Sequence, residues 1–109
     1  MHELSITRNI VAIVSEQAQG SRVTRVALEI GRLSAVMPDA IRFCFDVCSR
    51  GTSLEGAHLE ITETSGCFLC KNCFSEKKTD EFFARCECGS TDLECIAGKE
   101  LRIKEMEVV

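Results

Sequence analysis

The 109-residue sequence has no tryptophan, no tyrosine and only two histidines, His2 and His58. It also lacks any apolar run of about 18 residues, the length from which a membrane-crossing helix is read. No basic stretch leading into an apolar core opens the chain, so no export leader is read there and a cytoplasmic location is expected. Two imidazoles, no Ser-His-Asp set, no carboxylate pair and no phosphate loop leave little from which to build catalysis, and the chain does not read as an enzyme. The net charge is −4, and lysines and arginines stand singly or in pairs such as Lys77 and Lys78. That gives no stripe for a phosphate backbone, and the six phenylalanines form no stacking platform. Neither nucleic acid nor a membrane is an expected partner, which weakens the alternative of a nucleic-acid-binding zinc ribbon.

What the chain has in abundance is cysteine: eight of them. Without an export signal these are expected as reduced thiols, some holding a metal, rather than as disulfides. The length suits one ordinary domain, or a small one carrying an inserted module.

The order of elements follows from periodicity. Leu4, Ile6, Ile10, Val11, Ile13, Val14 and Ala18 recur near helical spacing, and Gly20 stops the run. From Val23 to Ile30 the period becomes two, with Val26, Leu28 and Ile30 on one face and Arg25, Ala27 and Glu29 on the other. Pro38 and Asp39 open a second helix, placed where proline and an acid suit the first turn, and Ile41, Phe45 and Cys48 follow before Gly51 closes it. His58 to Glu63 alternates again as a strand. Leu101 to Lys104 does the same, whereas Glu105, Met106 and Val108 break the phase and mark a bulge or an edge. The expected fold class is α/β, a small mixed sheet of about three strands packed by two helices, with an inserted zinc-ribbon module. Residues 1–65 with 96–109 form the expected main domain and residues 66–95 the insertion.

That insertion holds six of the eight cysteines and little aliphatic content, so burial alone should not fold it. Cys70-Lys71-Asn72-Cys73 is one C-x-x-C pair, and Cys86-Glu87-Cys88 is a second pair one residue shorter. Four thiolates from two such knuckles close a tetrahedron around one ion and leave no position for water, which is the signature of structural zinc. A redox C-x-x-C would open a helix after a strand, a context Cys70 does not have. Cys67 precedes Cys70 by the same spacing and offers an alternative to Cys86 or Cys88, and a bridge from Cys67 to Cys95 is a further alternative. Cys44 and Cys48, one helical turn apart beside Ile41 and Phe45, read as small core residues. His58 reads as a surface or cross-strand residue.

The opening Met1-His2-Glu3 carries a different chemistry. The amine of Met1, the amide nitrogen of His2 and its imidazole can close adjacent five- and six-membered chelate rings in one plane, a nitrogen-rich arrangement that suits nickel or copper. An incidental histidine on a frayed terminus is the plain alternative. The bulky His2 side chain should discourage removal of Met1, and with it the loss of those ring sizes.

Taken together, Met1-His2-Glu3-Leu4-Ser5, Glu29-Ile30-Gly31-Arg32-Leu33-Ser34, Phe43-Cys44-Phe45 and the paired cysteines resemble the HypA/HybF family of hydrogenase-maturation nickel chaperones along the whole chain. The resemblance implies an α/β nickel-binding domain with a zinc-ribbon insertion, delivering nickel to NiFe hydrogenase and in some members supporting urease. It implies His2 as the essential nickel ligand, completed by the Met1 amine and nearby backbone amides, with Glu3 in the same motif. It also implies Cys70, Cys73, Cys86 and Cys88 as zinc ligands, although the second pair departs from the family's usual C-x-x-C. Asp39 does not align cleanly with an acidic ligand that some relatives place near the second helix and is left out. The cofactors implied are transferable Ni(II) and structural Zn(II); the partners are a HypB-type maturation GTPase and the hydrogenase large subunit, with self-association into a homodimer left open. Imidazole with its ordinary pKa of about 6.5 protonates below roughly pH 6, so nickel affinity should collapse there. Titrations giving equal affinity at about pH 5 and about pH 7.5 would exclude a His2-centred site.

Overall fold

The computed structural model describes residues 3–81 and 84–109. Met1 and His2 lie outside the described residues, and with them the expected nickel chelate; Glu3 is the first described residue. The order is α1 (Glu3–Ala18), β1 (Val23–Gly31), α2 (Pro38–Cys48), β2 (His58–Thr64), β3 (Cys67–Cys70), β4 (Glu76–Lys78), β5 (Leu93–Ala97) and β6 (Leu101–Val108).

Two three-stranded sheets result. The main sheet has the order β2-β1-β6, with β1 parallel to β2 and antiparallel to β6. Parallel neighbours need a crossover, and α2 supplies it. Val26, Leu28 and Ile30 of β1 are at most 1% exposed and meet Ile10, Val11 and Val14 of α1 with Ile41 and Phe45 of α2 in one core. The alternation in β1 therefore sorted its faces correctly, although Ala27 on the opposite face is buried as well. That opposite face carries Arg25, whose guanidinium contacts Glu60, Glu105 and Glu107 at 2.8, 2.6 and 3.2 Å.

The phase break in the last strand is a bulge on an edge. Ala27 pairs with Glu105 and Leu28 with Ile103, which leaves Lys104 unmatched, and the strand continues to Val108. The extra residue lets Ile103 and Met106 share the helix-facing side despite an odd spacing.

The second sheet, β4-β3-β5, belongs to the cysteine-rich segment. Its buried apolar residues are few: Cys67, Phe68, Cys70, Ala84 and Cys86 among those described. The two sheets meet at a narrow neck where the chain crosses near Gly66 and again near Gly98. There the Leu33 amide donates to the Gly98 carbonyl at 2.7 Å and the Thr79 amide to the Gly66 carbonyl at 2.9 Å. Asp80 clamps the neck by accepting from the Gly66 amide at 3.0 Å and from Arg32 at 3.3 Å. Those donors, the Gly66 amide first, hold its carboxyl below the usual carboxylate range.

Gly98 has φ +108°, and a Cβ there would lie 2.5 Å from Gly66 Cα, so both conformation and close approach require glycine. Gly51 also has positive φ, at +76°, but faces open space. Gly98→Ala should therefore cost about 3 kcal/mol or more and Gly51→Ala only about 1 kcal/mol. Urea titrations of the two variants check this; equal losses would show that the neck yields freely.

Candidate metal centre

Strand β3 brings Cys70 to its end, and the chain then turns back on itself. The Phe74 amide donates to the Cys70 carbonyl at 2.8 Å, and the Cys73 amide points at Cys70 Sγ at 3.5 Å. Phe74 takes φ +62°, a left-handed conformation that is uncommon for a bulky residue and closes this first knuckle.

The shorter pair reaches the same point by a tighter turn. The Gly89 amide donates to the Cys86 carbonyl at 2.9 Å and the Cys86 amide to the Ser90 carbonyl at 3.0 Å, with Gly89 at φ +93°. An extended Cys86-Glu87-Cys88 would hold its side chains about 7 Å apart along one face; the turn instead swings both sulfurs inward.

The result is one cluster, in which the sulfurs of Cys70, Cys73, Cys86 and Cys88 all lie within 4.8 Å of one another. Cys70 and Cys88 are 3.7 Å apart and Cys73 and Cys86 3.5 Å. A tetrahedron with metal–sulfur bonds of about 2.3 Å has edges of about 3.8 Å, so the side chains stand close to the geometry a thiophilic ion such as Zn(II) requires. Four protein sulfurs leave no open coordination position, which suits a structural ion and not one that activates water.

Polar groups around the cluster favour thiolates. The Ser75 hydroxyl lies 3.0 Å from Cys73 Sγ and 3.6 Å from Cys86 Sγ, and the Asn72 amide donates to Cys88 Sγ at 3.6 Å. The Cys88 backbone amide, then Ser75 and Cys73, lower the Cys86 pKa to about 6. Sequence reasoning passed over Ser75 and Asn72; their places two residues after Cys73 and directly before it were the available signal.

Cys67 is held apart. Cys67 and Cys70 are three residues apart on β3, so their side chains leave opposite faces of the strand. The Cys67 thiol donates to Glu76 at 3.8 Å, and burial followed by the Glu76 charge pushes its pKa up. Cys95 bonds the Ala97 carbonyl at 3.3 Å, and both are free thiols. Cys44 is buried and Cys48 packs against the core, as small core residues do. His58 is exposed, with Nε2 3.7 Å from Glu60.

In the main domain Glu3 is the first residue of α1 and only 8% exposed. Its carboxylate accepts a hydrogen bond from the Met37 amide at 3.3 Å, and its carbonyl accepts one from the Thr7 hydroxyl at 2.7 Å. Met37 caps α2, so the carboxylate sits at the positive end of that helix and ties the start of α1 to it. Periodicity gave no sign of this contact.

The chain matches, over residues 1–108, the family profile described as hydrogenase/urease nickel incorporation, metallochaperone, hypA. It is 62% identical over 108 residues to a hydrogenase maturation factor HypA from a Nostoc species, covering 99% of this chain and 96% of that protein. It is 46% identical over 109 residues to the factor of the same name from Geobacter sulfurreducens, covering 99% of each. The fold is similar to the solution structure of the Ni metallochaperone HypA from Helicobacter pylori, with TM-score 0.71, 25% identity, and coverage of 100% of this chain and 98% of that one. These likenesses agree with the mixed sheet, the two helices and the ribbon.

The separation of Cys67 from the cluster can be tested by metal content. Cys67→Ser and Cys95→Ser should each retain about one zinc per chain against a competing chelator, whereas Cys86→Ser should release it. Retention by Cys86→Ser with loss by Cys67→Ser would reverse the assignment.

Proposed function

The chain belongs to the HypA family of nickel-incorporation metallochaperones and hydrogenase maturation factors, and from that premise we propose that it binds Ni(II) at its amino terminus and hands it on for NiFe hydrogenase maturation. The nickel ligands are the Met1 amine, the His2 amide and imidazole nitrogens, with Glu3 beside them. Zn(II) is held by Cys70, Cys73, Cys86 and Cys88 in the ribbon, residues 66–95, while residues 1–65 and 96–109 form the nickel-binding domain. The observation that carries the reading is the separation of two donor chemistries: a closed four-sulfur cluster, and a chain terminus with a histidine at position two.

Each donor set suits its task. A chelate made at a chain end exchanges ligands one at a time with a client site, so the cargo can be passed on without the fold opening. Thiolates that complete a tetrahedron and are stabilised by Ser75, Asn72 and backbone amides hold their ion in place. Glu3 contributes by fixing where α1 begins, since its carboxylate bonds the Met37 amide at 3.3 Å. The chain carries cargo and does not catalyse; its partners are a HypB-type GTPase and the hydrogenase large subunit in the cytoplasm, and urease is a second client to test. No helix among the described residues is long and apolar enough to cross a membrane.

Nickel titration of three proteins tests this reading: the native terminus, His2→Ala, and a form whose Met1 amine is acetylated. The last two should lose more than about 100-fold in affinity, because losing a direct ligand exceeds the outer-shell cost of about 10- to 100-fold. Zinc content should stay the same in all three. Undiminished nickel uptake by the acetylated form would refute the terminal chelate.

A further inference from the structure

The four sulfurs of the ribbon cluster divide by exposure. Cys70 and Cys86 are buried, at 1% and 6% exposed, whereas Cys73 and Cys88 are exposed. Each knuckle thus contributes one sulfur that the fold covers and one that solvent reaches. The hydrogen bonds divide the same way. The buried sulfurs take donors from the backbone of their own knuckle, Cys70 from the Cys73 amide at 3.5 Å and Cys86 from the Cys88 amide. The exposed sulfurs take theirs from side chains: the Asn72 carboxamide donates to Cys88 Sγ at 3.6 Å, and the Ser75 hydroxyl lies 3.0 Å from Cys73 Sγ. That hydroxyl is also 3.6 Å from Cys86 Sγ, but its single proton serves the nearer sulfur when both are thiolates.

Neither side chain is needed to close the turn that carries it. Main-chain bonds build that turn: the Phe74 amide donates to the Cys70 carbonyl at 2.8 Å, the Cys70 amide to the Ser75 carbonyl at 2.9 Å and the Lys71 amide to the Asp92 carbonyl at 3.0 Å. Among the described residues, the hydrogen bonds of the Asn72 and Ser75 side chains go to sulfur alone. Asn72 moreover belongs to the first knuckle and its acceptor to the second, so this bond exists only once the cluster has assembled. An exposed thiolate is the place where such a cluster is open to attack. A second thiophilic cation, or an electrophilic carbon, can take a lone pair from the sulfur, whose bond to the resident ion then breaks. A fixed donor occupies one lone pair and withdraws charge from the sulfur. Affinity alone discriminates poorly between divalent ions at one donor set, so a chain that handles two of them needs some other barrier.

We propose that Asn72 and Ser75 are specificity residues that guard the two exposed sulfurs, slowing the displacement of the ribbon's ion by Ni(II) and other thiophiles; this rests on the reading of zinc in the ribbon and nickel as cargo. The guard is divided by residue. Asn72 protects Cys88, and Ser75 protects Cys73. Cys70 and Cys86 need no such cover, since burial and backbone amides already withhold them. Both guards sit on the first knuckle, so its turn controls access to the exposed sulfur of each pair.

The test compares the full zinc-loaded chain with Asn72→Leu, which keeps the size and removes the donor, Ser75→Ala, and Ser75→Thr, which keeps the hydroxyl. Zinc remaining after incubation with excess Ni(II) is read by metal analysis after desalting, and the first cysteine alkylated by iodoacetamide by peptide mass. Asn72→Leu and Ser75→Ala should each lose zinc about 5-fold faster than the parent, the factor expected for one hydrogen bond. Alkylation should begin at Cys88 in the first and at Cys73 in the second, and Ser75→Thr should match the parent. In Co(II)-loaded forms the sulfur-to-metal charge-transfer band should move to lower energy in both donor-less variants, because a sulfur without its donor gives up charge more readily. A reading free of substitution comes from the unaltered chain loaded with the spin-half cadmium isotope: the Asn72 carboxamide protons should show a scalar coupling to cadmium through the Cys88 sulfur. Parental exchange rates in both donor-less variants, faster exchange with an unmoved cobalt band, or a carboxamide without the coupling would each overturn the guard while leaving the zinc assignment in place. An unaltered chain that takes up no zinc would overturn both.

Discussion

The pairing of β1 with both of its neighbours is the constraint from which the rest of the molecule follows. One strand of nine residues takes β2 on one side in parallel and β6 on the other in antiparallel. The parallel partner demands a crossover, which fixes α2 on the sheet, and α2 in turn gives α1 an apolar face to close against. Four β1 residues, Val23, Val26, Leu28 and Ile30, are at most 1% exposed and form the floor of the only extensive apolar core among the described residues. At its far end β1 runs into the neck, where Gly31 donates to the Glu100 carbonyl and Leu33 to Gly98. The strand that organises the core thus also anchors the ribbon.

The two halves are stabilised by different physics. The main domain buries aliphatic side chains between two helices and a sheet, the usual source of cohesion for a chain of this size. The ribbon has one buried aromatic among its described residues, Phe68, and three very short strands, so coordinate bonds to sulfur have to stand in for an apolar core. Cys86, with its pKa lowered to about 6 by neighbouring donors, and Cys67, raised by burial and Glu76, show how the same residue type is sorted within one small module into cluster member and bystander.

Much of this was legible in the sequence because periodicity reports on faces. The alternation of Val26, Leu28 and Ile30, the helical spacing from Leu4 to Ala18, and the phase break at Glu105 each correspond to a physical feature, the last to the bulge at Lys104. The cysteine spacing pointed to two knuckles because ligand pairs must lie close in the chain. It did not distinguish Cys67 from Cys86; that distinction depends on which strand face a residue three positions away occupies and on the turn closed by Gly89. Strand β4, Glu76–Lys78, is short, charged and without alternation, so nothing in its composition marked it. The Glu3 contact to Met37 spans 34 residues and the packing of Gly66 on Gly98 spans 32; contacts of that range leave no local pattern.

The position of β6 has a consequence for how the chain is made. As it emerges from a ribosome, β1 can find β2 early, but its other edge stays open until residue 108 has been synthesised, after the whole ribbon. The span between the paired strands is some seventy residues, and a flexible loop of that length slows closure. Once thiolates capture an ion, residues 66 to 98 become a compact hairpin whose ends already lie together at the neck. On the proposed metal binding, metal supply during translation would set how long a bare sheet edge is offered to other nascent chains.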